Sequence, residues 1–206
     1  MKTFIYIDGF NFYYGAVKDS PYKWLDFKQL FSNILASDNQ ISCIKYFTAR
    51  VSGKNDPDQP IRQQTYLRAL EAYIPEISIY FVHFLHHEVA APLARPTKNL
   101  RFSRVIKTEE KGSDVNLAVH LLNDAWLGLY DCAVVVSNDS DLAESMKLVK
   151  AQHNKVLGLV LPSQGRPSKQ LAAYADFIKS VRKTTLAKSQ LPNPIPGTNL
   201  RKPATW

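Results

Sequence analysis

The stretch that decides the fold reads Asp131-Cys-Ala-Val-Val-Val-Ser-Asn-Asp-Ser-Asp-Leu142. Its apolar run, Cys132–Val136, is short and rich in β-branched residues, which is typical of a buried strand. Polar residues interrupt the run at 137–141, and helical spacing of apolar residues resumes at Leu142. A strand that ends in a polar turn before a helix is characteristic of an open parallel sheet, where ligands bind beyond the carboxyl ends of the strands.

Two carboxylates, Asp139 and Asp141, lie in that turn two residues apart, so both can point toward one cation. Neighbouring carboxylates repel each other, and a divalent metal with oxygen ligands holds them together most simply. The sequence leaves a second interpretation open. Asp139 or Ser137 could cap the following helix while Asp141 stabilises the positively polarised helix N-terminus.

The N-terminus repeats this design. The predicted strand Thr3–Ile7 is followed at once by Asp8-Gly-Phe-Asn11, which again places a carboxylate at the carboxyl end of a strand. Gly9 allows the backbone to turn sharply. Asn11 is expected either to cap a helix over Phe12–Val17 or to bind a ligand.

A third carboxylate lies at the start of a long predicted helix. The strand Phe102–Thr108 leads through a turn at Gly112 into the amphipathic helix Val115–Leu127, and Asp114 lies at its N-terminus. Here too the alternative is N-capping, by Ser113 or Asp114.

Strands alternate with helices along most of the chain, which predicts a three-layer α/β/α domain with a mainly parallel central sheet over residues 1–181. In such a sheet the carboxyl ends of the strands share one edge. Asp8, Asp139 and Asp141 should therefore converge although they are far apart in the chain, with Asp114 as the natural fourth member.

Other segments give more local expectations. Asp26 should start a helix over Phe27–Leu35. A strand over Ile77–Leu85 should lead to an exposed basic loop, Val89–Arg101. We predict no metal site at the adjacent residues His86 and His87, because neighbouring strand residues point to opposite faces of the sheet.

The 206-residue chain carries a net charge of +8, unevenly distributed. All acidic residues lie at or before Asp176, whereas residues 182–206 contain five basic residues and no acidic one. A basic segment attracts polyanions, nucleic acid first among them. This proline-containing segment shows no core-forming periodicity, so it is predicted to be a C-terminal tail, and a disordered, solubilising end is the alternative.

The cysteines and the hydropathy of the sequence indicate in which cellular compartment the protein is expected. Cys43 and Cys132 lie in separate apolar runs and form no CxxC pair, which suits packed, reduced thiols. The apolar N-terminal stretch is too short for a signal peptide, and no run reaches the length of a membrane helix. The expected location is the cytoplasm.

Three motifs together carry a resemblance to a known family. Asp8-Gly-Phe-Asn11, Lys111-Gly-Ser-Asp114 and Ser137-Asn-Asp-Ser-Asp141 are similar, in this order, to the motifs of the NYN domain. The resemblance is to its LabA-like branch within the PIN-like nuclease superfamily, and it covers roughly 3–181.

The resemblance implies a PIN-like parallel sheet flanked by helices and an acidic pocket that binds Mg²⁺ or Mn²⁺. It implies that Asn11 positions a water or a phosphate and that the protein can form a homodimer. Where many family members carry an acidic residue on the long helix, this chain has His120, with Asp124 one turn further along. The acidic cluster that the resemblance implies consists of Asp8, Asp114, Asp139 and Asp141.

The leading hypothesis is a metal-dependent ribonuclease that hydrolyses phosphodiester bonds with a metal-activated water. The chain also resembles bacterial proteins described as monooxygenases that hydroxylate a succinoyl-pyridine. Against that alternative, no GxGxxG phosphate loop follows any predicted strand. A second alternative is a non-catalytic RNA-binding module, which suits the basic segment and the abundance of tyrosine and phenylalanine.

Overall fold

A seven-stranded sheet forms the centre of the molecule, in the order β4-β3-β2-β1-β5-β6-β7. The computed structural model describes residues 1–53, 56–96 and 100–206, with the backbone alone at 83–86 and 108–111. Six strands run parallel, and β4 pairs antiparallel with β3 at one edge. The strands are β1 Lys2–Asp8, β2 Gln40–Ala49, β3 Ile77–Pro92, β4 Phe102–Lys111, β5 Cys132–Val136, β6 Val156–Leu161 and β7 Phe177–Ser180.

Helices cover both faces of this sheet. The short helix α1 continues as a π-helical turn over Tyr13–Val17, and a 3₁₀ turn, Ser140–Leu142, precedes α5. The α-helices of the described chain are α1 Gly9–Phe12, α2 Phe27–Ile34, α3 Gln59–Tyr73, α4 Ser113–Trp126, α5 Ala143–His153, α6 Lys169–Ala172 and α7 Lys183–Lys188.

Alternating residues of the central strands build two separate cores. Ile5 and Ile7 of β1 face the core under α1, α2, α3 and α7, whereas Phe4 and Tyr6 face the core under α4, α5 and α6. Because both faces are covered, β5 is buried along its whole length, as its unbroken apolar sequence predicts. The predicted three-layer α/β/α architecture with a mainly parallel sheet is confirmed.

The hairpin β3–β4 is longer than predicted. Ile77–Val82 pairs with β2, and the rest of β3 pairs with β4 alone, up to Pro92 opposite Phe102. The basic loop expected over Val89–Arg101 is therefore strand at its start, and its Lys98 lies outside the described residues. The sequence does not predict this extension, because a two-stranded hairpin outside the main sheet needs no continuous buried face and so shows no regular apolar pattern.

The C-terminal segment packs on the domain, although its lack of core-forming periodicity predicted a tail. Leu186, Leu191 and Ile195 are buried in the core on the α2 side of the sheet. The indole N–H of Trp24 donates to the carbonyl oxygen of Pro192 at 3.1 Å. Leu186 lies in the short helix α7, whereas Leu191 and Ile195 stand singly in the irregular backbone that follows. Their spacing therefore produces no continuous helical or strand period.

Among the described residues, no helix combines the length and apolar character that crossing a bilayer requires.

Substitution of a buried residue in this segment should destabilise the whole domain. Leu191 is 4% exposed, so Leu191→Ala should lower the free energy of unfolding by about 2–5 kcal/mol, as for other buried leucines. Leu127→Ala is the matched control, because Leu127 is 59% exposed. Urea denaturation of the full chain measures both. Equal stability of the two variants would mean that the segment does not belong to the cooperative core.

Candidate metal-binding site at the sheet edge

The site lies where the neighbouring parallel strands β1 and β5 end. Asp8 is the last residue of β1, and Ser137 and Asp139 follow β5. The Ser137 hydroxyl donates to Asp8 Oδ2 at 3.0 Å and accepts the backbone N–H of Asp139 at 3.1 Å. One serine hydroxyl thus links the two segments that carry the carboxylates.

Local backbone requirements fix the direction of each carboxylate. Asp8 caps α1 by accepting the backbone N–H of Asn11 at 3.0 Å, and Asp139 caps the 3₁₀ turn by accepting that of Asp141 at 3.1 Å. A Cβ at Gly9 would lie 2.5 Å from the carbonyl oxygen of Phe47, so only glycine allows this close approach. The cap made by Asp139 uses Oδ1 alone, whereas Asp8 uses Oδ1 for its cap and Oδ2 to accept from Ser137. Because a carboxylate oxygen that accepts one hydrogen bond can accept a further ligand, capping does not exclude the metal site that the sequence presents as its alternative.

Asn11 takes a role that sequence reasoning did not anticipate. Its side-chain oxygen accepts the backbone N–H of Asn138 at 3.1 Å, which ties α1 to the turn after β5. The side chain of Asn138 in turn accepts the N–H of Ser168 at 2.8 Å and donates to the carbonyl oxygen of Arg166 at 3.3 Å. The only sequence signal for this linkage was the turn-forming character of Asn138.

Asp114 approaches the site from α4. It is half-buried in the first turn of the helix. The helix begins directly after Gly112, whose backbone adopts the left-handed conformation with φ 93°. No side chain caps this helix, so the N-capping interpretation of Ser113 and Asp114 is wrong. The carboxylate of Asp114 is left for other interactions.

The electrostatics show that three carboxylates interact. Burial raises the pKa of Asp8 above its usual value, the hydrogen bonds from Asn11 and Ser137 oppose this rise, and the charges of Asp139 and Asp114 add to it. Each additional negative charge makes ionisation of a buried carboxyl harder. The protein thus assembles negative charge at a position where a cation would lower the energy.

Asp141 points elsewhere. It is exposed and lines a separate cleft together with Glu144, Lys169 and Tyr174. The structure therefore brings together Asp8, Asp114 and Asp139 of the predicted carboxylates and leaves Asp141 beside them.

Asp124 is neutralised by a partner. Its carboxylate accepts from Lys45 Nζ at 2.5 Å and from the hydroxyl of Tyr6 at 2.7 Å, and its side chain is 3% exposed. His120 lies 3.3 Å from the same ammonium, and burial followed by the charge of Lys45 lowers the pKa of His120. The carboxylate of Asp124 is therefore already engaged by Lys45 and Tyr6 within the core.

The donor set fits a hard divalent cation, since it consists of carboxylate oxygens and nearby hydroxyl and amide groups. Within the described ranges, however, no three His, Cys, Asp or Glu side chains stand close enough together to hold a metal ion directly. Magnesium keeps several of its waters in proteins and needs only one or two carboxylates. Asp8 and Asp139, which the hydroxyl of Ser137 links, are the two carboxylates that could hold such an ion.

Comparison with known proteins identifies the family. The NYN domain family matches residues 2–181, and the chain belongs to it. Membership in this family indicates the PIN-like nuclease superfamily and hence a nuclease-type hydrolase that acts on nucleic acid. Nucleases of this superfamily generally use divalent metals.

Two individual proteins are also similar to this chain. The 6-hydroxy-3-succinoylpyridine 3-monooxygenase HspA of Pseudomonas putida (strain DSM 28022 / S16) is 35% identical over 100% of this chain and 75% of that protein. The crystal structure of VPA0982, a protein of unknown function from Vibrio parahaemolyticus RIMD 2210633, superposes with a TM-score of 0.56 at 19% identity. It covers 88% of this chain and 93% of that one, and it supports the fold.

The buried ion pair generates a stability prediction. Lys45→Met should lower the free energy of unfolding by about 3–5 kcal/mol, because it leaves the charge of Asp124 buried and uncompensated. Adding Asp124→Asn should recover much of this loss, because the buried charge is then gone. Urea denaturation of the two single variants and the double variant forms the required cycle. Simple additivity would show that the two side chains do not interact.

The raised pKa of Asp8 generates a pH prediction for the metal-free protein. Between the unfolded and folded pKa values the folded state binds more protons, so the wild-type protein loses stability as the pH rises through this range. The free energy of unfolding of Asp8→Asn minus that of the wild type should grow from about pH 4 upward. Urea denaturation in EDTA across this range measures the difference.

Ser137→Ala provides the companion to this measurement. Removing the hydroxyl deletes a hydrogen bond that lowers the pKa of Asp8, so the loss of stability should extend to higher pH. A difference between Asp8→Asn and wild type that shrinks with rising pH would contradict the assignment of Asp8 as a buried carboxyl with a raised pKa.

Proposed function

We propose that this NYN domain protein belongs to the LabA-like branch and is a ribonuclease dependent on Mg²⁺ or Mn²⁺. The observation that carries the proposal is the link from Asp8 through Ser137 to Asp139 at the ends of adjacent strands, with the charge of Asp114 acting on Asp8. A cation is the simplest means of relieving this repulsion, and a phosphodiester supplies further oxygen ligands.

The proposal gives each residue a separate role. Asp8 and Asp139 would hold the cation, Asp114 would orient a water at it, and Asp141 would contribute negative charge from outside. Asn11 positions the turn that holds Asp139, because it fixes the backbone of Asn138. A bound divalent metal supplies a water of lowered pKa and offsets charge on the phosphoryl oxygens.

RNA is proposed as the substrate. The net charge of +8 favours association with a polyanion. Near the site, the exposed Arg166 belongs to the segment that Asn138 holds through hydrogen bonds, which places a cationic residue beside the turn that carries Asp139. Homodimer formation and a cytoplasmic location belong to the same proposal.

The relative from Pseudomonas putida raises oxygenation of a hydroxypyridine as the alternative. One name at 35% identity does not transfer a substrate, and the linked carboxylates support hydrolysis. A purified protein that retains flavin and hydroxylates a succinoyl-pyridine would reverse this preference. RNA binding that persists in EDTA, without product after long incubation with metal, would instead indicate a non-catalytic binding module.

The proposed function predicts that the carboxylates differ in how strongly their substitution lowers the rate of RNA cleavage. With Mg²⁺ or Mn²⁺ the protein should cleave single-stranded RNA, and Asp8→Asn or Asp139→Asn should lower kcat/KM by about 10³-fold, equivalent to roughly 4 kcal/mol. Asp141→Asn should cost less than about ten-fold, because a charge outside the first coordination shell acts only through screened electrostatics. Gel-resolved cleavage of an end-labelled oligonucleotide measures each value.

Asp38→Asn is the control for this series. Asp38 is exposed and lies just before β2, at the amino ends of the parallel strands and therefore opposite the site. It should cleave as the wild type does. Equal cleavage by Asp8→Asn, Asp139→Asn and wild type would trace the activity to a contaminant. A far-UV circular dichroism spectrum of each variant confirms that the fold is retained.

A further inference from the structure

A cavity of about 320 Å³ lies beside the carboxylate site, on the α1 and α3 side of the sheet. Its walls come from α1 and the following π-helical turn, from β2, from the first half of α3 and from the C-terminal residue Trp206. The volume is within the usual range for small-ligand pockets, about 300–1,000 Å³.

Aromatic rings form much of the wall, and several are held in place. The hydroxyl of Tyr66 donates to the carbonyl oxygen of Leu25 at 2.8 Å, which fixes the orientation of its ring in the cavity wall. The ring of Trp206 stands edge-on to Tyr66 at 5.6 Å and to Trp24 at 6.2 Å. Fixed aromatic faces favour stacking with a flat ring, because little side-chain entropy is lost on binding.

Polar groups accompany these rings. Gln63 is occupied, since its amide donates to the carbonyl oxygen of Ala49 at 2.9 Å and accepts the N–H of Val51 at 3.0 Å. In contrast, the side chains of Lys23 and Gln59 make no hydrogen bond within the ranges that the structure describes. A ligand with ring-edge donors and acceptors can therefore find partners there.

The cavity is connected to the carboxylate site through consecutive residues of the sequence. Gly9 and Phe10, which line it, directly follow Asp8. A nucleotide that places its phosphate near Asp8 therefore has the cavity within reach of its base.

We propose that this cavity receives one nucleobase of the strand that is cleaved, an inference that rests on the proposed nuclease function. The base stacks on the aromatic wall, and Lys23 and Gln59 contact its edge. Since any base offers a flat face, stacking alone tolerates all sequences, and preference among bases comes from the edge contacts.

Binding can be measured without catalysis, because Trp206 reports on the cavity. In a Trp126→Phe background, which removes an exposed indole outside the cavity, adenosine or cytidine 5′-monophosphate in EDTA should change tryptophan fluorescence saturably. Trp206→Phe should abolish most of this change. Ribose 5-phosphate carries the phosphate without the base and should produce none, and an equal response to it would overturn the proposal.

A wall variant tests the same site through cleavage. Tyr13→Leu keeps apolar volume and removes the flat ring, so nucleotide affinity should fall about ten-fold and KM for RNA should rise similarly with kcat nearly unchanged. Tyr22→Leu is the matched control, since Tyr22 is half-buried against the same core but does not line the cavity. Equal effects of the two variants would overturn the proposal.

The outcomes separate this inference from the proposed function. Metal-dependent cleavage without base-dependent fluorescence change would overturn the cavity assignment alone. Base binding in EDTA without any cleavage in metal would overturn the nuclease proposal and leave a nucleotide-binding cavity. A bound mononucleotide that fails to compete with RNA cleavage would show that the occupant is a free nucleotide rather than the strand, which would also overturn the assignment.

Discussion

The hydrogen bond between Ser137 and Asp8 is the interaction on which the site depends, because it joins the ends of two parallel strands. Parallel pairing of β1 with β5 places these residues side by side although they are 129 positions apart. Burial and the nearby charges of Asp139 and Asp114 then make ionisation of Asp8 unfavourable. The fold holds like charges together, and a cation is the natural complement.

Two buried carboxylates, Asp124 and Asp8, are stabilised in different ways. In the core under α4, Lys45 neutralises Asp124 and Tyr6 donates a further hydrogen bond, so this carboxylate is satisfied from within the protein. At the sheet edge, the partners of Asp8 are a hydroxyl and a backbone N–H, neither of which carries a positive charge. Only the second arrangement favours an external cation. His120 on α4 lies 3.3 Å from the same Lys45 ammonium and so belongs to the first arrangement.

Sequence patterns predicted whatever depends on local periodicity and strand ends. The helix after Asp26, the buried strand β5 and the convergence of Asp8 with Asp139 all follow from burial patterns, capping and parallel topology. The remaining features depend on partners distant in the chain. The neutralisation of Asp124 requires Lys45 in another strand, and the burial of Ile195 requires a groove that exists only after folding. Neither leaves a periodic signal.

The sequence also could not separate Asp139 from Asp141. In the structure Asp139 caps the 3₁₀ turn, whereas Asp141 is exposed in a separate cleft. The central claim is that Asp8 and Asp139 together bind one divalent cation. The most direct measurement of it is an anomalous difference map from crystals grown with Mn²⁺. We expect one strong peak in contact with carboxylate oxygens of both Asp8 and Asp139. A map without a peak there at saturating Mn²⁺, or with the ion bound only in the cleft of Asp141 and Glu144, would contradict the account.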